Sequence, residues 1–153
     1  MTDPKPGEAT AASQQLVLAG ILVMPLAYVV AAYILHAIEV LPPTGFVELG
    51  PQATLLLAGV FLLSCVLSAV VSPILKKKIL QMAAADNTLD RHARFKASMI
   101  AMATSEAGAG LGLVLIFLTG NLLYGTLLCA LSFAVTCFHF PRRHWLEDGD
   151  APH

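Results

Sequence analysis

Charge is scarce in this chain: 12% of its 153 residues are Asp, Glu, Lys or Arg, and the formal net charge is −1. Soluble domains carry roughly 25%. So little charge cannot cover a chain that is 57% hydrophobic with a mean hydropathy of +0.74. The solvent it calls for is lipid. The same balance excludes a nucleic acid as partner, because there is no basic excess to neutralise phosphates. Cysteine is sparse as well. Cys65, Cys129 and Cys137 lie inside apolar runs and form no C-x-x-C, so neither a disulfide framework nor a zinc knuckle is implied. No nucleophile–base pair, Gly-rich phosphate loop or H-E-x-x-H is present, and the reading is of a non-enzyme without a cofactor.

What the chain has instead is long apolar runs. Residues 16–38, 49–75 and 122–140 contain no Asp, Glu, Lys or Arg, and 97–119 contains one, Glu106. Crossing the hydrocarbon as a helix takes about 20 apolar residues. Strands would need alternation, which is absent, and would leave backbone groups unpaired in lipid. The predicted fold is all-α, an integral membrane bundle of four transmembrane helices. Its spans fall near 16–38, 52–75, 97–119 and 122–140, within a membrane domain 15–141. A flexible N-terminus, 1–14, precedes it and a tail, 142–153, follows. The punctuation agrees: Pro42-Pro43-Thr44-Gly45 closes the first span, Gly50-Pro51 opens the second, Gly120-Asn121 leaves only a tight turn between the last two, and Pro141 stops the fourth.

The nine Lys and Arg sit at Lys5, within 76–96, and at Arg142 and Arg143, which four spans place on one side. The other two loops, 39–51 and 119–121, hold none. The positive-inside bias therefore puts both termini and the central loop in the cytoplasm, with the chain in the cell (inner) membrane. Trp145 and Phe140 suit the inner interface, Tyr124 and Phe46 the outer one. The first span is read as retained rather than cleaved, since Lys5 stands against Asp3 and Glu8 ahead of a long apolar run.

The central loop carries good helix formers from Lys76 to Ala85, then Asp86-Asn87-Thr88 as a break. Asn87 or Thr88 is expected to cap the next helix, with Asp90 and Arg94 as an i,i+4 pair. Helices two and three are thus expected to extend as a cytoplasmic helical hairpin, with Pro73 kinking helix two. Lys76, Lys77 and Lys78 set topology and snorkel; the second reading is binding of anionic lipid or a partner.

Glu106 is the residue the bilayer should object to. It lies about eight residues into the third span, roughly 12 Å deep, too far for a short side chain to snorkel. Low dielectric disfavours the charged form, so such a carboxyl is expected to hold a proton or to coordinate Na⁺ with neighbouring oxygens. Candidate neighbours are the hydroxyl ladder Ser64, Ser68 and Ser72 on helix two and the row Cys129, Ser132 and Thr136 on helix four. On its own helix Thr104, Gly108 and Gly112 form a stripe of small residues, with Gly110 beside Glu106, and such stripes allow close helix approach. The bland alternative is a protonated glutamate that glues helices together. His36, His139 and His144 are read as interfacial or loop histidines rather than cofactor ligands.

The run Glu106-Ala107-Gly108-Ala109-Gly110-Leu111-Gly112-Leu113-Val114-Leu115-Ile116-Phe117-Leu118 resembles the carboxylate-bearing helix of the proteolipid (c) subunits of rotary V-type and F-type ATPases. A polar cytoplasmic loop precedes that helix, as in the family. The resemblance implies that Glu106 binds a proton or Na⁺ reversibly, against a partner subunit. Two functions are expected from these readings. One is a proteolipid-like ion-binding membrane subunit lined by Ser64, Ser68 and Ser72. The other is a non-catalytic accessory or assembly subunit of a larger complex, with Glu106 as glue. Both call for membrane lipid and for other membrane subunits, or copies of the chain itself, as partners.

Overall fold

The computed structural model describes residues 6–86, 88 and 91–141. Four helices follow one another: α1 (Pro6–Ala37), α2 (Pro51–Ala85), α3 (Arg91–Thr119) and α4 (Leu122–His139). Each is long and apolar enough to cross a membrane, and no strand occurs among the described residues. Three helices outrun the apolar segments that announce them. α1 starts at Pro6, so most of the segment read as a flexible N-terminus is helical. The Ala, Glu and Gln that follow Pro6 are good helix formers. α2 passes Pro73 without ending and continues ten residues past 75 to Ala85, while α3 begins at Arg91, ahead of 97. At 1.5 Å per residue α2 is about 52 Å long, against roughly 30 Å of hydrocarbon.

α3 is the centre of the bundle and packs against each of the other three helices; α1 and α2 both also touch α4, but not each other. Small residues explain the choice. Ala97, Ser98, Ala101, Ser105, Gly108, Ala109 and Gly112 are all buried on α3, which lets neighbours close in from several sides. Leu18 of α1 and Met102 form one buried cluster with Phe95 and Phe140 around them. Ala32, Leu41 and Ile116 form a second at the opposite end, and Cys65, Leu115 and Leu128 join α2, α3 and α4. The outer sides of α1 and α2 carry rows of exposed side chains, among them Leu16, Val30, Leu63 and Leu67. Exposure on this scale would be an aggregation hazard in water and is the expected surface toward lipid.

The two connections on the side away from the hairpin are built together. Gly120 takes a positive φ of 67° and its N–H closes on the Ile116 carbonyl at 2.8 Å. Asn121 then caps α4, its side-chain oxygen accepting from the Tyr124 N–H at 3.0 Å. The 38–50 connection folds across this turn. Phe46 and Val47 donate their N–H groups to the carbonyls of Phe117 and Leu118 at 2.9 and 3.1 Å, supplying partners that the end of a helix lacks. Gly45 (φ 73°) meets Gly120 backbone to backbone; a Cβ on Gly45 would strike the Leu118 carbonyl, and one on Gly120 the Pro43 carbonyl.

At the hairpin, Thr88 turns back to α2. Its N–H and hydroxyl both bond to the Ala83 carbonyl, at 2.8 and 3.3 Å, and so close α2. The expected parts of Asn87 and Asp90 lie outside the described residues, as do those of Lys5, Arg142, Arg143, His144, Trp145 and the acidic tail.

Candidate functional site

Glu106 lies thirteen residues before the Thr119 end of α3, about 20 Å from it, and is half-buried. The hydroxyl of Tyr28, on α1, donates to its Oε1 at 3.0 Å. That phenol is the one hydrogen-bond partner of the carboxyl among the described residues. Successive residues of a helix point about 100° apart, and α3 uses this: Ser105 turns toward α2 and α4, and Glu106 turns toward α1. A phenol suits a carboxyl in either protonation state, because its O–H donates to a carboxylate and its oxygen accepts from a carboxylic acid. The residue as a whole is neither sealed in the bundle nor fully exposed.

The serine ladder of α2 does not gather round Glu106. Ser64 bonds back to the Val60 carbonyl of its own helix at 3.0 Å, and Ser68 is half-buried. Ser72 is fully buried and belongs to a different cluster. Its Oγ lies 2.7 Å from Nε2 of His139, and Ser105 Oγ lies 3.3 Å from Ser72 Oγ and 2.9 Å from the Ala101 carbonyl. Ser132 donates to the Ser105 carbonyl at 2.6 Å, and Thr136 to the Ser132 carbonyl at 2.8 Å. All five residues are buried. The result is a connected polar seam tying α2, α3 and α4 together among buried residues, where each unpaired group would be costly.

His139 is the residue that sequence reasoning misplaced. It is neither in a loop nor at a free interface, but buried in the last turn of α4. A signal was available: Ser132, Thr136 and His139 recur at helical spacing on one face, continuing the row that starts at Cys129. The Ser72–His139 pair has the reach of a nucleophile and base, but Ser72 sits mid-helix, wholly buried and followed by Pro73, which has no N–H to offer an oxyanion. Its geometry is that of a helix lock.

The packing residues of α3 divide by face. A Cβ on Gly108 would lie 2.5 Å from Cys65 Sγ of α2, and one on Gly112 would lie 2.7 Å from the Gly125 carbonyl of α4. Gly110 has nothing within 4 Å, and Thr104 bonds back to the Ile100 carbonyl at 2.8 Å. The close approach that Gly108 and Gly112 allow is therefore used by helices of this same chain. Among the described residues, no three His, Cys, Asp or Glu side chains group to hold a metal ion, and Cys65, Cys129 and Cys137 are free thiols.

No protein-family model matches this chain, and no curated protein or solved structure matches it.

Proposed function

We propose that this small multi-pass membrane protein works as a subunit of a larger membrane assembly, with Glu106 binding and releasing a proton at the α1–α3 contact. The observation that carries the reading is the half-buried Glu106 carboxyl, set within a membrane-spanning helix and bonded to Tyr28 at 3.0 Å. An ionisable group at that depth is costly and marks a functional position by default. The phenol serves both protonation states, and a partner helix reaching this half-buried residue would be needed to exchange the proton. The likeness of 106–118 to the carboxylate helix of rotary ATPase proteolipids supports the same chemistry. A single oxygen neighbour favours a proton over Na⁺, since hard cations gather several oxygen ligands. In this reading both termini and the projecting α2–α3 hairpin are cytoplasmic, because all nine Lys and Arg share one side of the cell membrane.

A second reading follows from the same contact, which bridges two helices: Glu106 and Tyr28 hold α1 on α3 in an accessory or assembly subunit. Glu106→Gln separates the two. Glutamine keeps the bond to Tyr28 but has no proton to lose, so an accessory subunit carrying it should assemble and work nearly as before. A proton carrier should assemble and lose the ion-coupled activity of its complex. Glu106→Ala should hurt assembly in the accessory case, by about 1 kcal/mol for a lost interhelical bond.

A further inference from the structure

We infer that α2 and α4 form a binding site for one anionic glycerophospholipid, in the leaflet at the lysine end of α2. Two open grooves meet there and share Pro73 as a common wall. The first, about 620 Å³, runs between α2 and α4 and is lined by Ala69, Pro73, Ala134, Val135, Phe138 and His139. The second continues along α2 past Pro73 to Lys76, Lys77 and Gln81. Ligand-binding clefts commonly have roughly 300–1,000 Å³.

The register of α2 makes the two grooves one. Ala69, Pro73, Lys76, Lys77 and Gln81 stand at i, i+4, i+7, i+8 and i+12, a single helical stripe about 18 Å long. Charge enters it where the uncharged run ends at residue 75. On one side the walls are mostly apolar, with Phe138, 90% exposed, and His139 among them. On the other are two ammonium groups and an amide, with Leu80 and Ala84 on the same stripe. That order, apolar then cationic across the membrane interface, is complementary to an acyl chain joined to a phosphate. Lys78 does not line either groove, although it follows Lys77 directly. Snorkelling for topology would use the three lysines alike; a lipid seated in the groove uses two of them. This site is independent of Glu106, which faces α1.

The test uses the full chain in neutral detergent, titrated with dioleoylphosphatidylglycerol or dioleoylphosphatidylcholine, with one-to-one adducts measured by native mass spectrometry. The phosphatidylglycerol adduct should be favoured by at least about five-fold, the value expected of one lysine near an anionic headgroup. The double variant Lys76→Gln/Lys77→Gln should bring the two lipids near parity. Lys78→Gln/Lys96→Gln, with the same loss of charge, should keep the preference. Val135→Trp, which fills the apolar groove, should lower the adducts of both lipids without touching a lysine. Equal adducts of the two lipids on the unaltered chain would overturn the site. So would equal loss in the two double variants, no effect of Val135→Trp, or displacement of the lipid by millimolar inorganic phosphate.

Discussion

Ser72 Oγ and His139 Nε2 stand 2.7 Å apart, both buried, and through this contact the last turn of α4 is fixed to α2. Ser105 adds α3 to the same point. Removing the serine hydroxyl leaves a buried imidazole nitrogen without its partner.

Ser72→Ala should therefore lower stability by about 1 kcal/mol, in the range of interhelical bonds within membranes. Ser64→Ala should be close to neutral, because that hydroxyl bonds only to its own helix. Reversible unfolding in mixed micelles reads the difference. Equal effects of the two would mean that the seam carries no energy.

The contrast between these serines also shows what the sequence could reveal. Four spans and the Gly120-Asn121 turn were legible because lipid demands uninterrupted apolar helices and a turn has its own local chemistry. The serine ladder was legible as a spacing but not as a direction. Steps of four residues drift about 40° each, so Ser64 and Ser72 differ by about 80° around α2 and meet different surroundings. Tyr28 and Glu106 are 78 residues apart, and no local pattern tells which helix lies across from the carboxyl. His139 was judged by its place at the end of a span, when the face it shares with Thr136 was the better guide.

The crossing of α3 and α4 rests on Gly112 and Gly125. A methyl at Gly112 would press on the Gly125 carbonyl, which is backbone and cannot turn aside. Gly112→Ala should cost about 1–3 kcal/mol, as overpacking does. Gly110→Ala, with open space around it, should be neutral or stabilising by roughly 0.5–1 kcal/mol through helix propensity. Thermal unfolding of both variants checks this, and a tolerated Gly112→Ala beside a damaging Gly110→Ala would contradict the packing.

Orientation has its own check. Single cysteines placed at Lys77 and at Thr44, in a background where Cys65, Cys129 and Cys137 are replaced, can be probed in intact cells with an impermeant thiol reagent. The position at Thr44 should react and that at Lys77 should be shielded. The reverse pattern would turn the protein over in the membrane.

Proton exchange at Glu106 is tested most directly by carbodiimide labelling of the folded chain in its membrane, followed by mass spectrometry of the 91–119 peptide. Carbodiimides react with a protonated carboxyl in an apolar site. A carboxyl that binds and releases a proton should be labelled at Glu106 at low pH, lose that labelling reversibly as pH rises, and show none in Glu106→Gln. Absence of labelling at every pH in the folded protein would contradict a proton-binding role and leave Glu106 as a contact between α1 and α3.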